Sequence, residues 1–525
     1  MAVLGCAVLA ARVRVAPPVL LLACGALLGF VPALRQVQLP SEVVLLLFLP
    51  ALLYWESLTI SLREIRSNLR IIVLLSTVLV ICTAAVVAAV AHALGMGWGP
   101  AWVLGAAVAP TDATAVGVLA RSLPRRNVTV LRAESLVNDG TALVIYALAV
   151  GITRGAEHPS APSVLGLFLL AYGGGAVAGV IVAWLSIRVY RALDDPMLGT
   201  VTSMVTPFAA FGLAQAVHAS GVLAVVVAGL IISQQGPRAG RPDTRQEIQA
   251  FWTVSTFVLN CALFVLVGLE LQSAVRGLAS PGRAGAGLTH GLIAVAAVSV
   301  AVIGVRFVWM FTTTYLIRAL DRRPQQRLRR VGARARVVSA MAGFRGAVSL
   351  AAALAVPVTV SSGRPFPDRD LIIFVTSGVI VVTLVVQGLL LPVVVRWARL
   401  GHDGSVQTER HLAETTATEE ALEAIPQIAA GLDTDPEITA RLQREYTKHL
   451  RLLHASDGDS ADEPALRYDR QYTALRQAVL ARKRAVVLRL RDEGRIDDTV
   501  LRQIQARLDI EEVRLTRREA TEEAE

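Results

Sequence analysis

The sequence is poor in charged residues and in cysteine. Only 18% of its 525 residues are charged, against about 25% in an average soluble domain, and this deficit points to a protein surrounded by lipid. Cys6, Cys24, Cys82 and Cys261 all lie inside apolar runs, where a thiol behaves as a small hydrophobe, so a disulfide scaffold is excluded. The basic residues punctuate apolar runs and form no stripe, which excludes a nucleic-acid-binding protein.

The charges that are present divide the chain into two parts. From residue 401 onward there are 19 Lys and Arg against 26 Asp and Glu, whereas the first 400 residues carry 32 against 15. We therefore predict a transmembrane domain over residues 1–397 and a separate, charged C-terminal domain over residues 398–525.

The first part contains runs long enough to cross a bilayer, which takes about 20 apolar residues. Twelve candidate spans cover residues 15–34, 41–56, 71–94, 98–120, 130–152, 162–188, 198–217, 220–233, 251–271, 288–318, 337–358 and 370–397. Residues 2–11 form a further apolar piece of about half a span, without the basic start and cleavage site of a signal peptide. We count this piece as span 1; it is short either because the start site is placed too late or because the helix itself is short. The total of thirteen spans predicts an all-α polytopic membrane protein.

Arginine placement predicts the orientation of these spans. The loops after the odd-numbered spans 1 to 11 carry 21 Arg, and the loops after the even-numbered spans carry 6. Basic residues accumulate on the cytoplasmic side of membrane proteins. We therefore expect the N-terminus outside and the C-terminal part in the cytoplasm.

The C-terminal part shows helical apolar spacing amid dense charge. Residues 421–430, 438–453 and 473–490 follow this pattern, and Pro436 and Gly494 punctuate it. The pattern predicts a small helical cytosolic domain or a coiled-coil-like regulatory segment that binds an unknown ligand or protein. A solvated charged tail with partial helix is the alternative.

Polar and charged residues stand in the middle of three predicted spans, where a charge costs about 2.5–3.5 kcal/mol on insertion scales. Span 5 contains Pro110, Thr111 and Asp112; span 6 contains Arg132, Glu134, Ser135, Asn138, Asp139 and Gly140; span 12 contains Arg345 between Gly343 and Gly346. A cluster of this kind indicates a functional site inside the membrane.

The spacing in span 6 places three oxygen-bearing side chains on one helical face. Ser135 lies three residues before Asn138 and four before Asp139, and a hydroxyl, an amide oxygen and a carboxylate are hard ligands for a small cation. Pro110 removes a backbone donor and obstructs the preceding turn, so carbonyls near residues 108–111 are expected to be freed. Broken helices beside a carboxylate at the bilayer centre are how secondary transporters build ion sites.

The span numbering places a second interruption in the second half of the chain. Spans 1–6 and 8–13 form two halves joined by span 7, and Gly343, Arg345 and Gly346 occupy the corresponding place to the break in span 5.

Each of these residues also has a structural interpretation. Asp112 alone suits a cap or a hydrogen bond to a neighbouring helix. Glu134 and Arg345 suit a buried ion pair holding two helices together better than direct ion handling, because either charge left unpaired is strongly unfavourable. Arg306 is expected near an interface or paired, without a role. The glycines of YGGGAVAG (Gly173, Gly174, Gly175 and Gly179) indicate close helix packing rather than a phosphate loop.

The segments PTDATAV, ESLVNDGTA, FVLNCALFVLVGLEL and GFRGAVSLA resemble the cation/proton antiporter family that contains the bacterial NhaP proteins and the animal sodium/proton exchangers. The resemblance extends over about residues 1–397. It implies a thirteen-helix, inverted-repeat antiporter, usually a homodimer, with crossed broken helices in spans 5 and 12.

The same resemblance assigns roles to the polar residues. Asp139 is the carboxylate that binds the cation or the proton in turn. Na⁺ is held by Asp139, Ser135 and Thr111, and Asn138 and Asp112 complete the site. Glu134 and Arg345 form the stabilising ion pair.

The chain departs from the family in span 3. The family often has LPPLLF followed by an acidic residue, whereas this chain reads LPALLYWES, with Trp55 in the acidic position and Glu56 one step later. One step rotates a side chain by about 100° on a helix. The departure weakens the case for Glu56 as an accessory, gating carboxylate.

Taken together, the residues and the resemblance predict a secondary transporter that exchanges Na⁺ or Li⁺ for H⁺. Asn138 leaves one titrating acid in the Asn138–Asp139 pair, so electroneutral exchange in pH and sodium homeostasis is expected, although Asp112 adds a second acid. No enzyme and no cofactor is expected, and the location is a bacterial plasma membrane, since two Lys against 49 Arg indicate a GC-rich genome. K⁺/H⁺ exchange is the main alternative, and a channel or sensor gated by the C-terminal part is a weaker one. An intramembrane hydrolase is disfavoured because no G-x-S-x-G motif occurs.

Overall fold

The computed structural model of the chain describes Gly5 and residues 17–31, 44–112, 125–155, 161–193, 195–239, 242–278, 286–320, 332–400, 405–455, 463–493, 495 and 497–522. The chain divides into two units, residues 1–402 and 403–525. Within the described ranges the structure is helical and holds no β-strand, only a lone bridge between Thr359 and Pro365. The expected all-α fold is confirmed.

The first unit is built from fifteen described α-helices, five of which adjoin one of three π-helical turns. They are α1 (Pro17–Leu28), α2 (Leu49–Thr59), α3 (Leu62–Val73), α4 (Leu79–Ala93), α5 (Trp98–Val108), α6 (Arg125–Thr153), α7 (Ala161–Ala192), α8 (Pro196–Ala216), α9 (Gly221–Ala239), α10 (Pro242–Leu278), α11 (Ala286–Leu320), α12 (Ala333–Met341), α13 (Ala347–Leu354), α14 (Arg369–Val382) and α15 (Gly388–Ala398). The π-helical turns are Val44–Phe48, Leu74–Val78 and Thr383–Gln387.

These helices account for the twelve longer predicted spans. Span 4 is the run of α3 and α4 through their π-helical turn, span 13 is α14 and α15 with theirs, and span 12 is divided between α12 and α13. Span 5 corresponds to α5 and then leaves the helical conformation. Apart from Gly5, the predicted span 1 (residues 2–11) lies outside the described residues.

Length and composition agree with a membrane location. Seven stretches in the described ranges are long and apolar enough to cross a bilayer, and α1, the region of α2, α5 and α9 are shorter apolar helices. Large apolar side chains point outward from them: Val300 is 72% exposed and Leu169 65%. Contact with lipid explains this exposure, which water would make unfavourable.

Local sequence signals set several helix starts. The Asp195 carboxylate accepts a hydrogen bond from the Met197 N–H at 2.8 Å, with Pro196 as the first helical residue of α8. Ser61 caps α3 in the same way through the Glu64 N–H at 3.4 Å. Capping supplies acceptors to the first N–H groups, which have no partner inside the helix.

The glycine run in α7 packs against α9, as the sequence predicts. A Cβ on Gly175 would lie 2.6 Å from the Ser220 carbonyl oxygen, and one on Gly174 would lie 2.8 Å from the Ala219 Cβ. Gly179 faces the Ala224 carbonyl equally closely, whereas Gly173 has nothing within 4 Å. Three of the four glycines therefore let two backbones approach closely.

The second unit contains four helices among its described residues. They are α16 (Ser405–Gly431), α17 (Pro436–Ala455), α18 (Glu463–Asp492) and α19 (Asp498–Glu522). Helices α18 and α19 share a small apolar cluster of Leu480, Leu508 and Leu515, and Arg476 pairs with Glu511 at 3.0 Å. The helical pattern predicted for this part is confirmed, with α17 beginning at Pro436.

We predict that Gly175→Ala lowers the thermal stability of the purified protein by several degrees. The new methyl group meets the Ser220 carbonyl, and overpacking of this kind costs about 1–3 kcal/mol. The melting temperature is measured by size-exclusion chromatography of samples heated to increasing temperatures. Gly173→Ala, in the same run but facing open space, serves as the control and keeps or raises stability. Equal melting temperatures for the two variants would contradict this packing.

Candidate functional site at the crossing of two broken helices

Two interrupted helices cross in the first unit. Helix α5 ends at Val108 and the chain is non-helical over residues 109–112, while α12 ends at Met341 and α13 begins only at Ala347. The two breaks touch, because the Asp112 N–H donates to the Phe344 carbonyl at 2.8 Å. Span 12 is broken as expected and its break meets the end of α5, while residues 113–120 of span 5 lie outside the described residues.

Arg345 satisfies the carbonyl groups that the break in α5 releases. Its Nη1 donates to the Pro110 carbonyl at 2.7 Å and also to the Ala109 carbonyl. The side chain is buried and positively charged at the C-terminal end of α5, where a helix carries negative partial charge. The carbonyls predicted to be freed near Pro110 are therefore present, and Arg345 of the other broken helix donates hydrogen bonds to them.

Glycines make this crossing sterically possible. A Cβ on Gly346 would collide with the Asp112 carboxyl group, at 2.6 Å from its Cγ. A Cβ on Gly343 would lie 2.6 Å from the Arg306 Cδ. The two glycines that flank Arg345 in sequence thus admit an acidic residue on one side and a second arginine on the other.

Glu134 forms its ion pair with Arg306, and the predicted pair with Arg345 is wrong. Arg306 donates to both Glu134 carboxylate oxygens, at 2.5 Å and 3.0 Å, and its Nε donates to the Ser339 carbonyl at 3.3 Å. Arg345 is instead engaged by the α5 carbonyls. Arg306 and Arg345 were both possible partners of Glu134. The sequence does not show that the absence of a side chain at Gly343 leaves room for Arg306.

The polar residues predicted in spans 5 and 6 come together around Thr111. The Ser135 hydroxyl donates to the Thr111 carbonyl at 2.9 Å, and the Asn138 amide donates to the Thr111 hydroxyl at 2.6 Å. Thr111, Ser135 and Asn138 are all buried. These bonds fasten the non-helical segment of α5 to the face of α6 that carries Asp139.

Asp139 is buried next to a small cavity and keeps an unused acceptor. It is 3% exposed, and among the described residues its Oδ1 has no hydrogen-bond partner. The cavity has a volume of about 40 Å³, which is room for a cation or a few waters. Asp112, Thr111 and Ser135 also line it.

Three cavity residues were missed or given little weight at the sequence level. Glu56, Asn260 and Ser349 line the same cavity. Glu56 lines it although it stands one position after the acidic position of the family pattern. Trp55 packs against apolar residues instead. An intramembrane amide such as Asn260 was the available signal for a polar wall.

The donor set differs from that of a resident transition-metal centre. Within the described ranges no group of three His, Cys, Asp or Glu side chains is placed to hold a metal ion together. The cavity instead offers carboxylates with hydroxyl, amide and carbonyl groups at its wall. Such a hard, mixed oxygen set suits weak, reversible binding of an alkali cation.

Comparisons with known proteins agree on one family. The family described as "Sodium/hydrogen exchanger, transmembrane" matches residues 1–397. The chain is 47% identical over 508 residues to a Mycobacterium tuberculosis protein described as the uncharacterized Na(+)/H(+) exchanger Rv2287, covering 97% of this chain and 93% of that protein. It is 32% identical over 365 residues to the Na(+)/H(+) antiporter NhaP of Pseudomonas aeruginosa, covering 68% and 81%.

A solved structure shares the fold. The sodium proton antiporter MjNhaP1 from Methanocaldococcus jannaschii superposes with a TM-score of 0.58 at 17% identity, covering 75% of this chain and 96% of that one. At this identity the likeness concerns the fold of the helical unit alone.

We predict strong energetic coupling between Glu134 and Arg306. Arg306→Gln leaves a buried carboxylate unpaired, which costs about 3–5 kcal/mol, and adding Glu134→Gln recovers a large part of that loss because no charge remains. The measurement is a double-mutant cycle on melting temperature. The matched cycle of Glu134→Gln with Arg345→Gln shows little coupling. Coupling to Arg345 instead of Arg306 would refute this pairing.

Proposed function

The chain belongs to the sodium/hydrogen exchanger family, a family of secondary transporters and not of enzymes, and from this membership we propose that it exchanges Na⁺ or Li⁺ for H⁺ at Asp139. Exchange proceeds without a cofactor. We further propose that the protein works in the plasma membrane of a bacterium as a homodimer, with the second unit in the cytoplasm, and serves pH and sodium homeostasis.

One observation carries the proposal. Asp139 presents an unpartnered, buried carboxylate oxygen beside a cavity of about 40 Å³. A buried charge without a partner is unfavourable, so the carboxylate requires either a proton or a cation. A cation requires several oxygen ligands, and the Thr111 carbonyl and the Ser135 hydroxyl supply them beside the carboxylate. A proton binds to the carboxylate alone.

Competition for this carboxylate makes the exchange obligatory. A cation and a proton exclude each other on Asp139, and either one removes the buried negative charge. The loaded site reorients between the two sides of the membrane, whereas the empty site keeps its charge and does not. The crossing of α5 with α12 and α13 is the place where the site moves relative to its surroundings, since non-helical backbone at this depth faces a cavity.

The neighbouring charges favour one cation per proton. Glu134 is neutralised by Arg306, and Asn138 contributes an amide where a second acid would otherwise stand. Asp139 is then the group whose charge changes in each half-cycle, which makes the exchange electroneutral. Asp112 and Glu56 line the cavity as further acids and support the site by attracting cations into it.

We expect Asp139→Asn to abolish cation-driven proton movement. The amide neither binds a cation tightly nor takes up a proton, so both half-reactions are lost. Everted vesicles from an antiporter-deficient host are acidified by respiration, and a pH-sensitive dye follows the response to Na⁺, Li⁺ and K⁺ added separately. The interior of vesicles with the wild-type protein becomes more alkaline when Na⁺ or Li⁺ is added, and the interior of vesicles with the variant does not.

Asp195→Asn is the matched control. It makes the same chemical change at the exposed cap of α8, where an amide caps as well as a carboxylate, and transport persists. A response to K⁺ alone would keep the site and change the substrate to K⁺. A Na⁺ response that survives in well-expressed Asp139→Asn would remove Asp139 from the mechanism.

A further inference from the structure

A buried arginine with two unsatisfied nitrogens lies in the membrane unit, away from the ion cavity. Arg336 stands in the first turn of α12 and is 6% exposed. Its guanidinium carbon lies 4.9 Å from the ring centre of Phe311 and 5.3 Å from that of Tyr315, both on α11. The charge is therefore enclosed by aromatic rings where two helices meet.

Two of the three guanidinium nitrogens have no acceptor in the described part of the chain. Among the residues that the structure describes, Arg336 Nε and Nη1 have no hydrogen-bond partner. The other two buried arginines in the described ranges both have acceptors: Arg306 bonds the Glu134 carboxylate, and Arg345 bonds two backbone carbonyls. Arg345 also leaves its Nε without a partner, but Arg336 is the one of the three described buried arginines with two such nitrogens.

The aromatic contacts alone leave this charge under-compensated. A ring face attracts a cation, but it is a weaker partner than an anion, and an uncompensated buried charge is strongly destabilising. Ring stacking also uses the faces of the guanidinium and leaves its N–H groups, which lie in the plane, free to donate. Buried N–H donors of this kind suit an anionic acceptor.

The surroundings indicate which anion fits. The apolar run of α11 ends at Arg318 in the sequence, so Tyr315 stands within one helical turn of its end. Arg334, also on α12, lies 5.7 Å from the ring centre of Trp397 near the end of α15. Tyr315 is 58% exposed and Trp397 55%, and exposed aromatic residues at span ends mark the level of the lipid headgroups.

We propose that Arg336, assisted by Arg334, binds the phosphate group of an anionic phospholipid at this end of the membrane unit. Arginine binds phosphate through several parallel N–H donors, and basic pockets between membrane helices accept lipid headgroups. The bound lipid fastens the start of α12 to α11. This inference rests on Arg336 and its neighbours, not on the identity of the transported ion.

The test measures the melting temperature of the full-length protein in an uncharged detergent after removal of bound lipid. Phosphatidylglycerol, phosphatidylcholine and inorganic phosphate are added separately. We expect phosphatidylglycerol to raise the melting temperature of wild type by about 3–5 °C at saturation, with no comparable shift from phosphatidylcholine. An equal shift from inorganic phosphate would identify free phosphate as the source of the same oxyanion.

Substitutions locate the site. Arg336→Gln loses the shift and melts no lower than wild type without lipid, because it removes an uncompensated charge. Arg188→Gln is the matched control: Arg188 lies 4.9 Å from the ring centre of Trp184 but is exposed, so the shift remains. If Arg336→Gln does not fold, Arg336→Met keeps an apolar chain between the rings and gives the same test. A full shift in the Arg336 variant, or no shift in wild type with either phosphate source, would overturn the proposal.

Discussion

The hydrogen bonds from Arg345 to the carbonyls of Ala109 and Pro110 are the interaction on which the rest of the site depends. Pro110 ends the regular bonding of α5 in the interior of the membrane unit, where freed carbonyls have no water to bond. Arg345 supplies donors for them from the opposite broken helix. With these carbonyls satisfied, the chain remains non-helical through Thr111 and reaches the polar face of α6.

The charges around this crossing are matched so that one carboxylate stands out. Arg345 is balanced by the carbonyl end of α5 and Glu134 by Arg306. Asp139 retains an unpartnered buried oxygen at the cavity wall. An ion pair held apart from the cavity stabilises the unit without taking part in exchange, whereas the group left over has the chemistry that exchange requires. On the proposed mechanism, stability relies on Glu134 and transport on Asp139, only five residues apart.

Much of this arrangement is readable from the sequence, and the failures have physical causes. Apolar runs predict the helices because lipid demands length, and the spacing of Ser135, Asn138 and Asp139 predicts their common face. The partner of Glu134 was predicted incorrectly because pairing across helices depends on which glycines admit which side chain. Glu56 was given little weight because its motif is displaced by one residue, and the sequence does not show which face of α2 is turned toward the cavity. The helices of the second unit are readable from the sequence, which carries no motif that assigns this unit a ligand.

Proton release on cation binding tests the central claim most directly. The purified protein is held in a weakly buffered solution with a pH indicator while NaCl is added, with choline chloride as the ionic-strength control. Competition at Asp139 predicts release of up to one proton per Na⁺ bound, weaker Na⁺ binding as the solution becomes more acidic, and no release from Asp139→Asn. Na⁺ binding without proton release, or equal release from Asp139→Asn, would contradict the account.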